Sequence, residues 1–178
     1  TLDIRNIDVF DGTLDIYLRN TEGCQYLQEN DLIFVEGMDD LACESVNGSY
    51  SSGPIRGFQF DIYGMTMTSH GGGTIDDNNF LLFYGPTTVM GLDMTDPLNT
   101  IPSGDTLLTQ LSFEGYDFAS NGICIENIKF VGEGNEGPGS LNPLITAPFA
   151  QCYEPPAGIL SIENVNMEQS TLDIDLKN

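Results

Sequence analysis

The sequence has no tryptophan, one histidine (His70), and only five lysines and arginines against 27 aspartates and glutamates. Each shortage argues against a class of function. Without tryptophan the broadest apolar face for stacking a sugar ring is missing. Reading any two of so many carboxylates as a glycosidase pair is then poorly supported. The single histidine falls in Ser69-His70-Gly71-Gly72-Gly73, which reads as a surface loop and a poor place for a general base. There is no Gly-x-Ser-x-Gly elbow, His-Glu-x-x-His helix or phosphate-binding loop. A formal net charge of -22 repels phosphate backbones and anionic membranes, so nucleic acid is not expected as a partner. No apolar run is long enough to span a bilayer, and membrane insertion is not expected. The chain reads as a non-enzyme that requires no cofactor.

Period-two alternation dominates what is there, and helical periodicity is nearly absent. Leu14, Ile16 and Leu18 share one face of a strand while Asp15 and Tyr17 take the other. Asp11-Gly12 before it is a strong hairpin dipeptide. Phe58, Phe60 and Ile62 alternate with Gln59 and Asp61 in a core strand over residues 55–63. In the strand over 106–114, Leu107, Leu111 and Phe113 are expected to face inward. The strand over 124–131 needs a bulge to shift its apolar face. About nine short strands with turns every eight to twelve residues predict an all-β sandwich. Helix is expected, if anywhere, as a turn or two between residues 71 and 79.

The four cysteines fall as two sequence-local pairs, Cys24 with Cys43 and Cys124 with Cys152. Neither pair has the Cys-x-x-Cys spacing of a zinc site. Two disulfides and an oxidising, extracellular compartment follow. The first pair lies inside an excursion over residues 21–54 that carries its own short strand at 32–36.

The end of the chain repeats its beginning. Residues 160–178 laid without a gap on 2–20 match at nine of nineteen positions: Leu160/Leu2, Ile162/Ile4, Asn164/Asn6, Thr171/Thr13, Leu172/Leu14, Asp173/Asp15, Ile174/Ile16, Leu176/Leu18 and Asn178/Asn20. Internal repetition of this kind changes what counts as the domain. The organisation is read as a sandwich unit over 1–153, a Pro-rich linker over 154–158, and at 159–178 the opening strands of a next repeat or a donated strand. Strands with open hydrogen-bonding edges need a partner. Leu160, Ile162, Leu172, Ile174 and Leu176 are therefore expected to be the apolar residues of an inter-subunit strand.

Two stretches add a resemblance. Gly57-Phe58-Gln59-Phe60-Asp61-Ile62, followed by IPSGDTLLTQLSF from Ile101 to Phe113 and by Cys124-Ile125-Glu126-Asn127-Ile128, resembles cohesin-type modules over most of residues 2–131. The resemblance implies a jelly-roll sandwich and a secreted adhesion, scaffold or fibre module. The excursion at 21–54 departs from the compact family pattern.

Two smaller sites complete the reading. Hard cations need six to eight oxygens crowded in a loop, and Asp76, Asp77 and Asn79 form the densest such set, a candidate for calcium. Residues 133–136 hold a second, sparser one. Asn47-Gly48-Ser49 is the only N-glycosylation sequon, placed in a polar tip that would tolerate a covalent glycan. The functional expectation is a subunit of an extracellular filament whose partners are copies of itself. The alternative is a cohesin-like module binding a dockerin-type protein or a surface glycan.

Overall fold

The computed structural model describes residues 1–29, 31–93, 99–116, 122–133, 141–146, 151–153, 159–166 and 171–177. The Pro-rich linker at 154–158, residue Asn178 and most of the second acidic stretch lie outside the described residues. The strands are β1 (Leu2–Asp8), β2 (Thr13–Asn20), β3 (Gly23–Gln28), β4 (Asp31–Glu36), β5 (Ser49–Ser51), β6 (Ile55–Tyr63), β7 (Thr66–Gly71), β8 (Leu81–Tyr84), β9 (Thr88–Leu92), β10 (Gly104–Glu114), β11 (Ile123–Glu133), β12 (Leu141–Thr146), β13 (Gln151–Tyr153), β14 (Ile159–Asn166) and β15 (Thr171–Lys177). Two short helices are α1 (Asp40–Ser45) and α2 (Gly73–Asp77).

Two antiparallel sheets make an all-β sandwich. One has the order β1-β2-β10-β7; the other has six strands in the order β12-β11-β6-β9-β8, with β13 also paired to β11. Their facing sides supply one core. Leu2, Leu14, Ile16, Leu18 and Leu111 from the first sheet meet Phe58, Phe60, Ile62, Val89 and Ile125 from the second. The apolar alternation of β2 and β6 dictates this, because Leu14, Ile16 and Leu18 share one face of β2 and Phe58, Phe60 and Ile62 one face of β6, and all six are buried. Near the edge, β1 lies against β13.

Bulges modify the simple alternation. In β10 the register with β2 shifts between Leu107 and Thr109, so Leu108 and Thr109 are fully buried while Leu107 is only half-buried. Leu107 was the expected inward residue; the extra residue in the bulge hands that place to Leu108. In β11 the expected bulge is present, as a register shift between Glu126 and Lys129 with Asn127 at φ 52°.

The excursion at 21–54 holds more structure than one strand. It forms a three-stranded sheet in the order β4-β3-β5 and the helix α1, which Asp39 caps by accepting from the Ala42 N–H at 2.8 Å. Helix α1 was not expected, because it buries only Cys43 and so carries no apolar stripe in the sequence.

Candidate functional site

The β1–β2 hairpin sits on β10, and the residues that seat it fall into two groups. On the inner side Leu2, Leu14, Ile16 and Leu18 are fully buried. On the outer side the groups are polar and span three strands. Asp15, only 8% exposed, accepts from Asn6 Nδ2 at 2.8 Å and from Gln110 Nε2 at 3.0 Å, tying β1, β2 and β10 together. The buried Asn20 amide donates to the carbonyl oxygens of Gly53 at 2.8 Å and Pro102 at 3.1 Å. That fixes the end of β2 against both the excursion and the approach to β10.

Arg5 makes the longest reach. Its guanidinium lies 4.2 Å from the centroid of the Tyr17 ring, donates to Asp3 at 3.0 Å, and meets Asp105 on β10 at 3.2 Å. A cation over an aromatic face between two carboxylates is favourably placed, and hydrogen bonds to Asp3 and then Asp105 push its already high pKa further up. Since the groups are exposed, the clamp sets charge complementarity more than stability.

The hairpin β14–β15 has the same register. Leu2↔Leu18, Asp3↔Tyr17, Ile4↔Ile16, Arg5↔Asp15 and Asp8↔Thr13 in the first hairpin become Leu160↔Leu176, Ser161↔Asp175, Ile162↔Ile174, Glu163↔Asp173 and Asn166↔Thr171 in the second. Every pair moves by the sequence offset of 158 residues. The irregularity recurs as well, between Arg5 and Asp8 in one and between Glu163 and Asn166 in the other. Leu160, Ile162, Leu172, Ile174 and Leu176 thus occupy the register positions of Leu2, Ile4, Leu14, Ile16 and Leu18. Among the described residues β14 and β15 pair only with each other, whereas β2 is paired on both edges, with β1 and β10.

No protein-family model, curated protein or solved structure matches the chain.

The disulfides place the remaining predicted residues. Cys24 is joined to Cys43 and Cys124 to Cys152; the first staples α1 to β3 and the second fastens β13 to β11. Asn47 follows α1 at φ 53° and is exposed, so its amide is open to modification. Between the small sheet and the sandwich lies an apolar pocket of about 500 Å³, lined by Leu32, Phe34, Ile55, Ile128 and Phe130 with Asn20 at its polar side.

Among the described residues no three or more His, Cys, Asp or Glu side chains stand together as a metal site would require. In the predicted calcium stretch, Asp76 accepts from the Gly72 N–H at 2.6 Å. Asn79 follows α2 at φ 55° and its N–H bonds to the Asp76 carbonyl at 3.2 Å. These two residues therefore close the ends of α2, the ordinary turn use of Asp and Asn; Asp77 lies in α2 itself and is exposed. His70 is not in a loop but in β7, half-buried with its ring 5.8 Å edge-on from Tyr84. Nothing in the sequence alone singles out Arg5, Tyr17, Asp105 or Gln110 as site residues. The signal for Asn20 was its recurrence as Asn178, whereas the clamp leaves its trace only in the positions that fail to match.

Proposed function

We propose that this chain is a structural unit of an extracellular filament, a cohesin-like jelly-roll sandwich joined to its neighbours through hairpins such as β14–β15. The observation that carries the reading is the shared register of the two hairpins, irregularity included. A segment that pairs with itself as β1–β2 does, and repeats its apolar positions, is suited to the same seat on a β10 strand. Since β10 of this chain is already paired with β2 and β7, tandem repetition needs no displacement, whereas strand donation between separate chains needs an acceptor with that place open. Burying Leu160, Ile162, Leu172, Ile174 and Leu176 there would contribute about 1.5–3 kcal/mol each before ordering entropy is deducted. The two disulfides fit an oxidising medium, and Asn47 is the place for a glycan.

Negative-stain electron microscopy of native material, followed by non-reducing denaturing electrophoresis, tests the proposal. Filaments that stay as one very large band mean a covalent tandem polymer, and filaments that fall to uniform small bands mean donated strands. Where the strands are donated between separate chains, replacing Leu172 and Ile174 by Asp is expected to break filaments into single particles; in a covalent tandem polymer the same change is expected to unfold individual units while the large band persists. Compact particles alone from native material would remove the filament reading in favour of a binding module.

A further inference from the structure

The two strands of the first hairpin are not repeated equally well. Of the eight residues of β2, six recur at 171–178: Thr171, Leu172, Asp173, Ile174, Leu176 and Asn178 stand for Thr13, Leu14, Asp15, Ile16, Leu18 and Asn20. A seventh keeps its charge, Lys177 for Arg19, and only Tyr17 changes in kind, to Asp175. Of the seven residues of β1, three recur in β14, while Asp3, Arg5 and Asp8 give way to Ser161, Glu163 and Asn166.

The sheet order accounts for the difference. β2 stands between β1 and β10, so β2 alone pairs with β10. The register sets Leu111 opposite Leu14, Gln110 opposite Asp15, Thr106 opposite Leu18, Asp105 opposite Arg19 and Gly104 opposite Asn20, and all five of these β2 residues recur in kind. Their polar contacts are specific to the seat: Gln110 donates to Asp15 at 3.0 Å, Arg19 pairs with Glu36 at 3.0 Å, and Asn20 donates to the carbonyls of Gly53 and Pro102. Arg5 reaches Asp105 only as an exposed contact past Tyr17, and those two residues change together. Were the repetition kept only for pairing within the hairpin, its two strands would match equally well. The strand that is kept is the one that faces β10.

The turn departs from this match. Gly12, at φ 65°, accepts from the Phe113 N–H at 2.7 Å, and a Cβ there would run into the Phe113 carbonyl oxygen. The offset of 158 gives Ser170 as its counterpart. A serine in that crowded, left-handed position is strained, so the second hairpin suits the seat less well than the first.

Resting on the assembly reading above, we propose that the partner of β14–β15 is a unit of this chain's own kind. Its strand equivalent to β10 carries an amide donor at the place of Gln110, acids stand at the places of Asp105 and Glu36, and the seat beside that strand is open. A two-stranded hairpin alone is marginal in water, so β14–β15 gains its stability from such a third strand. Where β1–β2 is present, Gly12 lets it hold the seat against the second hairpin.

The match can be tested inside the intact chain. Tyr17→Asp with Arg19→Lys gives β2 the sequence of 171–178 while it sits on β10, and is expected to lower Tm by less than about 3 °C, a smaller loss than Asp15→Ala alone produces. Gly12→Ser is expected to lower it by about 4–8 °C. A graft that unfolds, or costs as much as Asp15→Ala, overturns the match to β10; Gly12→Ser at wild-type Tm overturns the weaker fit. Vacating the seat reads the docking itself. In the full chain with Leu14→Asp and Ile16→Asp, hydrogen exchange across 171–177 is expected to slow about tenfold, and further when Ser170→Gly is added. Exchange that stays fast with and without Ser170→Gly overturns the docking. Filaments in native material together with any of these failures leave the assembly reading standing and remove the like partner, whereas compact particles alone overturn the assembly reading and the partner with it.

Discussion

Asn6 donates from Nδ2 to Asp15 Oδ2 at 2.8 Å while holding φ 49°. The register of β1 and β2 shifts between Arg5 and Asp8, so the residue in the left-handed region is the one whose side chain crosses the hairpin. Asn is among the few non-glycine residues that adopt this conformation readily. Its amide then gives the buried carboxylate one of its two donors, and Gln110 supplies the other.

Removing that carboxylate is therefore expected to cost more than a typical surface change. Asp15→Ala leaves the Asn6 and Gln110 amides without their acceptor and should destabilise the chain by about 1.5–3 kcal/mol. Urea unfolding would show it as a lower midpoint with unchanged slope. A loss below about 0.5 kcal/mol would mean that water replaces the carboxylate.

Gly91 tests the core. A Cβ there would stand 2.2 Å from the Phe58 ring, which is 2% exposed and has little room to retreat. Gly91→Val is expected to destabilise by about 1–3 kcal/mol or more through overpacking, seen as a fall in Tm. A variant of wild-type stability would show that β9 can move away from β6.

Gly48 does the same for the stapled excursion. A Cβ at this position would lie 2.3 Å from Cys24 Sγ and 2.8 Å from Cys43 Sγ. Gly48→Ala should loosen the three-stranded sheet while leaving the Asn-x-Ser sequon intact. Hydrogen exchange is expected to accelerate in β3 and β5 and stay unchanged in β6. Mass spectrometry of the same variant should still find any glycan carried by Asn47.

Asp61 sets a pH dependence. It accepts from Thr88 Oγ1 and Asn127 Nδ2, both at 2.7 Å, and these two donors hold its carboxyl below the usual 3.8. A depressed folded pKa stabilises fully above the unfolded value and is lost as pH falls through the folded one. Asp61→Asn should therefore be less stable than wild type at pH 6, with the gap closing below about pH 4. A gap that persists at pH 2 would assign the effect to geometry rather than charge.

The sandwich was legible because apolar residues alternate with polar ones from Leu14 to Leu18 and from Phe58 to Ile62, and burial of that one face satisfies such strands. The repeat was legible for the same reason. What stayed hidden depended on distant residues or on single insertions. Nothing near Leu107 announces the bulge that buries Leu108 instead, since both are leucines. Helix α1 leaves no periodic trace, as Leu41 is 80% exposed. Arg5 and Asp105 lie 100 positions apart, so only the structure shows them as one clamp.

The contact between β1 and β13 bears on how a filament of such units would take tension. In a tandem array the line of pull would enter each unit at β1 and leave at β13, two neighbours at one corner, so the force would bypass the sandwich. The exit is held by a covalent bond from Cys152 to Cys124 on β11, while the entry is held by hydrogen bonds to β2. Stretching would then peel β1 first, drawing Leu2 out of the core while β11 holds, giving a fibre that lengthens at its joints and re-forms them when the load is released.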